Sequence, residues 1–447
     1  MGNDMNMKER VLVADIPNHI GETITIAGWV SVRRDHGKLV FLDIRDRSGS
    51  VQAIVLPSSG EAYEAVKDIR NENVVRIGGL VKERPGGAEK AGSVLGGVEI
   101  EVLSIGKLSG EEAALPFDLS SPVLDLNIDT LLDHRTLALR HPKQRAIFKI
   151  YATVLAAYGD HMREAGFLEI KTPKLVASAT EGGANVFTVD YFGRKAYLAQ
   201  SPQFYKQAGI SVFERVFEVG PVFRAEPHFT TRHVNEYIGL DAELAFIESF
   251  TEVMDELEAA MNHIFSTVEQ KCQAELALHE TAVPTLVPFP RLRLSEALII
   301  LKEKYGKEVE GSDIDAEGER MIGEYAKETF GSDFIFLTHY PTDLRPFYTM
   351  PNADDPSVTE SFDLLYRGLE IASGGQRIHD FHQLVESIRK RGMNADDFAS
   401  YLDVFRYGCP PHGGWGLGSE RIIQKLLGLG TIKEALLYPR DVKRLSP

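Results

Sequence analysis

Apolar and polar residues alternate through five short runs near the N-terminus: Thr23 to Val32, Lys38 to Ile44, Ser50 to Leu56, Asn73 to Lys82 and Gly97 to Ile105. A period of two marks strands that bury one face. Between the third and fourth runs the pattern turns helical over GEAYEAVKDIRN. Five strands with a helix after the third predict an OB-fold, a small barrel whose sheet closes on itself. Residues 1–108 therefore read as a separate β-domain, and the aperiodic stretch after it, which contains PFDLSSPVLDLNIDT, reads as a hinge over 109–139.

The remaining residues, 140–447, read as one larger domain. A long amphipathic segment runs from Gln144 to Ala165. Farther on, ERVFEVGPVFRAE alternates, so Arg224 and Glu226 are expected to leave the same face of a strand. A polar loop from Pro227 to Asn235 follows, and the strand-like run YIGLDAEL carries Asp241 and Glu243 on one face. Near the C-terminus, GGWGLGSERIIQKLLG combines Gly413, Gly414, Gly416 and Gly418 with Arg421 in the first turn of a helix whose apolar side is Ile422, Ile423, Leu426 and Leu427. Glycines admit a ligand close to the backbone, and helix-start amides beside a guanidinium favour phosphate. Singly, such features are more often surface ion pairs and turns.

Composition narrows the function classes. Only Cys272 and Cys409 occur, which excludes a disulfide framework and a cysteine-rich zinc site. The N-terminus is polar and no run of 18 apolar residues appears, so a cytoplasmic protein with no membrane partner is expected. The net charge is -16, yet residues 1–108 hold 14 Lys plus Arg against 15 Asp plus Glu, so the acidity belongs almost wholly to the larger domain. Any phosphate-binding patch must then be assembled locally by the fold.

The segments FRAEPHFTTRH and GGWGLGSERIIQKLLG resemble the second and third signature motifs of class II aminoacyl-tRNA synthetases, and TPKLVASATEGGANVF, with Pro173, resembles the first. The N-terminal GWVSVRRDHGKLVFLDIRDRSGSVQAIV is similar to the anticodon-binding domain of the aspartyl, asparaginyl and lysyl members. The segments HYPTDLRPFYTMP and LYRGLEIASGGQRIHD look like the aspartyl branch of archaeal and eukaryotic type. The resemblance covers nearly the whole chain.

It implies an α+β protein, an N-terminal OB-fold barrel followed by a class II catalytic domain with an antiparallel sheet flanked by helices. It implies that L-aspartate is activated with ATP and passed to the 3' end of tRNA(Asp), with tRNA(Asn) left open as a second acceptor. The matching positions put Arg224 and Arg421 at the reacting phosphates. Ala225, Glu226, Arg232, His233, Val234, Glu370, Gly418, Ser419 and Glu420 join them around ATP. Aspartate would meet Glu181, Gln203, Phe204, Tyr205, Lys206, Arg224, Ser373 and Arg377, with Lys206 and Arg377 facing its side-chain carboxylate. Glu370 and Ser373 match the family's Mg2+ pair, and Arg34, Phe41, Gln52 and Glu99 its anticodon contacts. An exposed Phe41 can stack on an unpaired base, although a Phe in an alternating strand is more often core. A homodimer is implied through the segment ending near Pro173. The alternatives are an asparaginyl-tRNA synthetase and a tRNA-independent amino-acid-activating paralogue. The glycine-rich segment from Lys82 to Gly97 receives no role.

Overall fold

The computed structural model describes residues 9–84, 94–110, 112–177, 185–227, 230–309 and 311–446. Glu181 and most of the glycine-rich segment lie outside the described residues. The chain divides into two compact units, Met1–Leu131 with Thr136–Gln144, and Leu132–Arg135 with Arg145–Pro447.

In the first unit, β1 (Thr23–His36), β2 (Leu39–Arg45), β3 (Ser50–Val55), β4 (Val74–Glu83) and β5 (Val94–Ser109) close a barrel in the order β1-β2-β3-β5-β4. The short helix Glu61–Ala65 lies between β3 and β4, as the change of periodicity predicts. Inward residues such as Ile26, Leu42, Ile44, Val51, Ala53, Ile77 and Ile100 form the core. In the stretch that reads as a hinge, the described residues between the end of β5 at Ser109 and the helices Ile128–Asp133 and Arg135–Ala138 form no helix or strand. Beyond them, Arg140 bonds the buried Glu72 of the barrel unit at 3.0 Å.

Among its described residues the second unit contains eleven strands: β6 (Leu168–Glu169), β7 (Leu175–Val176), β8 (Thr188–Tyr191), β9 (Arg194–Leu198), β10 (Arg215–Phe223), β11 (Glu236–Ala245), β12 (Arg291–Arg293), β13 (Phe334–Thr338), β14 (Ser361–Tyr366), β15 (Leu369–Arg377) and β16 (His412–Gly418). Eight make one sheet in the order β12-β13-β14-β15-β16-β11-β10-β6, and β7-β9-β8 make a small one. From β13 to β10 every pairing is antiparallel, as expected. The short edge strands β12 and β6 pair in parallel, so the sheet as a whole is mixed.

Alternation along the central strands decides which side becomes the site. Phe217, Leu240, Ala242 and Trp415 join a core with Ile147, Val154 and Tyr158 of the helix Pro142–Glu164 and Val253, Leu257 and Phe265 of the helix Phe250–Lys271. The intervening Asp241 and Glu243 must then point to the opposite face. β16 runs beside them, with Gly414 across from Glu243 and Gly416 across from Asp241. A Cβ at Gly414 would collide with the Ala242 carbonyl and the Glu243 carboxylate. This glycine makes room for a buried acid and not for a ligand, which corrects the expectation that all four glycines open backbone to the site. Gly413 likewise abuts Gly375 and Val253, whereas Gly416 and Gly418 do line the cavity.

Two further local features differ from the sequence pattern. β10 ends at Phe223, so Arg224 lies just beyond the strand, held by its N–H to the Asn235 carbonyl at 2.9 Å. On β15 the register slips, since Glu370 pairs Leu365 while Ala372 pairs Leu364. The extra residue, Ile371, is a β-bulge, and it turns Glu370 and Ser373 toward the same cavity although strand residues three apart ordinarily face opposite ways.

Behind that cavity a chain of buried polar groups fixes the helix Gln203–Phe213 against β16. Gln207 Oε1 accepts from Gln203 Nε2 at 3.0 Å and from the Tyr401 hydroxyl at 2.9 Å, while its amide nitrogen lies 2.9 Å from His412 Nε2. His412 Nδ1 is 2.8 Å from the Pro410 carbonyl, which can only accept. The proton therefore sits on Nδ1, Nε2 accepts from Gln207, and the imidazole is neutral and satisfied. Burial, reinforced by the Arg377 guanidinium, pushes this histidine down to about 4 despite the Glu243 carboxylate. The folded state thus binds a proton less readily than the unfolded chain, so its stabilising contribution is complete above the unfolded value and declines as the pH falls toward the folded one. Unfolding by denaturant at a series of pH values should show wild type losing about 3 kcal/mol relative to His412→Asn between pH 6.5 and 4. A pH-independent difference would show that His412 is already charged in the fold.

Candidate active site

On the face of the sheet opposite the two long helices lies a cavity of about 300 Å³. Its walls include Gln203, Lys206, Arg224, Glu226, Arg232, His233, Val234, Glu370, Ser373, Arg377, Gly418, Glu420 and Arg421, segments more than 200 residues apart in the chain. Arg345, Tyr348 and Asp241 line it as well.

Each principal cation around the cavity meets a carboxylate. Lys206 Nζ is buried, 3.0 Å from Asp241 and 2.7 Å from the Trp415 carbonyl. Arg377 donates to Glu243 at 2.9 Å and to the Gly414 carbonyl at 2.9 Å. At the other end Arg224 lies 3.7 Å from Glu226, Arg232 2.7 Å from Glu319, Arg345 2.8 Å from Asp363, and Arg421 3.5 Å from Glu370. Arg421 also donates to the Glu370 carbonyl at 2.7 Å, and Arg224 lies over the Tyr237 ring.

Lys206 and Arg377, which the family resemblance places against a ligand carboxylate, both carry built-in counterions. Burial raises the Asp241 carboxyl above its ordinary value even with Lys206 beside it. Burial also opposes ionisation of Glu243, but Arg377 and Lys206 outweigh it and hold that group below the ordinary value. Removing either cation would leave a buried charge without its partner, a change that costs about 3 to 5 kcal/mol in such pairs.

Electrostatics differ at the Arg-rich end. Burial works against ionised Glu370, yet Arg421, Arg224, Arg345 and Arg232 together hold it below the usual carboxylate value. Burial pushes neighbouring Asp363 up to about 6 despite Arg345. Ser373 accepts a hydrogen bond from Arg345 at 2.9 Å. Glu370, Ser373 and Asp363 are all hard oxygen donors. Among the described residues no group of three or more His, Cys, Asp or Glu is arranged as a protein-only metal cage. This set fits Mg2+, which binds through one or two carboxylates and completes its shell with water and substrate phosphates.

Four anticipated residues take other places. The buried face of the helix Gln203–Phe213 is formed by Gln203, Lys206, Gln207 and Ile210, so Phe204 and Tyr205 rotate away from the cavity. Phe204 stacks on Tyr401 at 4.2 Å in an aromatic core, and Tyr205 is exposed. Ala225 does not line the cavity. Ser419 is buried and donates to the Ile238 carbonyl at 2.9 Å. Glu420 reaches the wall, but its carboxylate accepts from Ile238 N–H at 3.0 Å and the Tyr151 hydroxyl at 2.9 Å, which ties the helix Ser419–Leu427 to β11. The sequence reading assigned no role to Arg345, Asp363 or Glu319. Arg345 was within reach in the HYPTDLRPFYTMP segment, whereas nothing local in an amphipathic helix marks Glu319.

In the barrel unit, Arg34 makes two hydrogen bonds to Asp43, at 3.0 and 2.8 Å, and a longer one to Gln52, at 3.5 Å. Gln52 Nε2 in turn reaches Glu99 at 3.3 Å. Phe41 pairs directly across from Arg34, stays outside the barrel core, is half-buried and meets the His36 ring edge-on at 5.6 Å. The four anticipated residues therefore share one outer surface of neighbouring strands.

Residues 127–442 match the family of class II tRNA synthetases (D, K and N), and residues 24–108 match the OB-fold nucleic acid binding domain. The chain is 45% identical over 442 residues to the aspartate–tRNA(Asp/Asn) ligase of Aeropyrum pernix, covering 98% of each. It is 44% identical to the aspartate–tRNA(Asp) ligase of Pyrococcus abyssi, covering 96% of this chain and 97% of that one. Among solved structures, asparaginyl-tRNA synthetase from Pyrococcus horikoshii in complex with asparaginyl-adenylate superposes with a TM-score of 0.90 at 33% identity, covering 99% of this chain and 100% of that one. With its catalytic sheet and OB-fold barrel both accounted for, the chain belongs to the class II tRNA synthetases of the D, K and N group.

Proposed function

We propose that this protein is an aspartate–tRNA ligase that joins L-aspartate to ATP and then transfers it to tRNA(Asp). The observation that carries this reading is one cavity with an arginine-rich end bearing Glu370 and Ser373, and a second end where Lys206 and Arg377 reach the wall. In the first step a carboxylate oxygen of aspartate bonds to the α-phosphorus of ATP, and the bond to the departing diphosphate breaks. Arg224 offsets charge developing on the α-phosphate, and Arg421, with Arg232 and His233, holds the rest of the nucleotide. No general base is needed, since the attacking carboxylate is already ionised near neutral pH. Positioning and fixed charge then supply most of the catalysis. When bound, Mg2+ adds counter-charge to the phosphates, with Glu370 and Ser373 as its protein ligands. In the second step a hydroxyl of the terminal ribose of tRNA attacks the acyl carbon and AMP leaves.

Aspartate rather than asparagine is supported by relatives at 44 to 45% identity over nearly the whole chain, which are aspartate–tRNA ligases. Comparing aspartate with asparagine in pyrophosphate exchange separates these readings, and charging purified tRNA(Asp) and tRNA(Asn) defines the acceptor. No helix among the described residues is long and apolar enough to cross a membrane. We place the enzyme with its tRNA in the cytoplasm, a placement that recovery in a membrane fraction would overturn.

Arg224→Ala should abolish aspartate-dependent exchange between pyrophosphate and ATP while the protein stays folded. Near wild-type exchange would sink the assignment. Phe41→Ala should raise the KM for tRNA by the equivalent of about 1 to 3 kcal/mol and leave exchange, which involves no tRNA, unchanged. Loss of both steps together, with unfolding, would return Phe41 to a structural role. The protein should sediment as a homodimer of twice the 49.6 kDa chain mass, with a two-fold interface. A fully active monomer would contradict it.

A further inference from the structure

Glu319 braces the arginine-rich end of the cavity, through Arg232 and the Glu370 backbone, from outside all three signature segments. It lies in the first turn of the helix Ala316–Phe330 and is buried. Its two carboxylate oxygens accept from one terminal nitrogen of Arg232, at 2.9 and 2.7 Å, and Oε2 also accepts the backbone N–H of Glu370 at 3.0 Å. One acid thus fixes a guanidinium on the loop between β10 and β11 and the main chain of β15 at its bulge.

The support behind Glu319 is rigid. Asp315 caps the helix by accepting from Gly318 N–H at 2.8 Å, and Lys307 reaches both Asp315 and Glu317, at 3.0 and 2.7 Å. Gly323 packs directly against the backbone of Gly368 in the turn that precedes Glu370, where a Cβ would not fit. The helix is therefore seated on the β14–β15 turn. Arg232, held through one nitrogen, keeps its buried Nε without a hydrogen-bond partner among the described residues. A buried donor of that kind is costly unless a ligand completes it.

We propose that Glu319 is a positioning residue for nucleoside triphosphate, presetting Arg232 and the Glu370 backbone before the nucleotide arrives. The proposal rests on the reading that ATP occupies this end of the cavity. It assigns to a helix between the second and third motifs part of the ATP affinity otherwise credited to the motifs alone.

Glu319→Gln retains size and one acceptor but loses the charge and the paired oxygens. Titration calorimetry with Mg-ATP on the full chain should show affinity weakened about tenfold, the weight of one hydrogen bond to a charged group. In exchange assays the KM for ATP should rise similarly, with the KM for aspartate unchanged. Because Glu319 acts through Arg232, adding Glu319→Gln to Arg232→Ala should weaken binding little further. Unchanged ATP affinity, independent additive losses, or equal losses for ATP and aspartate with a lower melting temperature would each overturn the proposal. Calorimetry separates the two claims: wild type that binds Mg-ATP without aspartate-dependent exchange would defeat the functional reading and leave Glu319 testable by affinity. Wild type that binds no ATP would defeat both.

Discussion

The cleft is organised by charge pairing. Lys206 with Asp241, Arg377 with Glu243, Arg224 with Glu226, Arg232 with Glu319, Arg345 with Asp363 and Arg421 with Glu370 bring six cations to face six carboxylates. Unpaired, charges taken out of water would each cost several kcal/mol, and the fold could not hold the more deeply buried ones. Paired, they keep each guanidinium in a set orientation without a ligand. Under the proposed function, paired cations offer little surplus positive charge to a triphosphate, which favours a nucleotide that brings a divalent cation with it.

The pairing in turn depends on the sheet. Asp241 and Glu243 lie on the cleft side of the sheet because Leu240, Ala242 and Leu244 alternate with them into the helical core. Glu243 fits there only because Gly414 on the next strand has no side chain. At the other end the bulge at Ile371 brings Glu370 and Ser373 together. Strand alternation, one missing Cβ and one extra residue are sufficient to turn a regular antiparallel surface into a site with two chemically distinct ends.

This also sets what could be read from the sequence. The barrel strands, the long helix and the faces of β10 and β11 were legible because they follow periods of two and 3.6. The motif segments placed Arg224, Glu370 and Arg421 around one cavity because family resemblance carries tertiary information that periodicity lacks. Phe204 and Tyr205 were misplaced where a contiguous segment was read as a unit, although a helix exposes consecutive residues on different faces. The counterions were the chief omission. Glu319 lies 87 residues from Arg232, and Glu243 lies 134 from Arg377, so no local pattern announces either pair.

Neutralising Lys206 and Arg377 alters the argument for amino-acid selectivity. If both cations were free, a ligand carboxylate would be preferred by charge alone. With Asp241 and Glu243 present the four groups sum to zero, and an asparagine amide could donate to an acid while its carbonyl accepted from a cation. Position breaks this symmetry. Lys206, Arg377 and Asp241 reach the cavity wall, whereas Glu243 is fully buried behind Arg377 and does not. A ligand therefore meets two cations and one carboxylate, a face that still favours an anion. Discrimination of about 10⁴ to 10⁵ arises where a rejected ligand leaves buried polar groups unpaired. Under the proposed function, discrimination would rest on Lys206, Arg377 and Asp241 at the wall, with Glu243 buried against Gly414 behind Arg377.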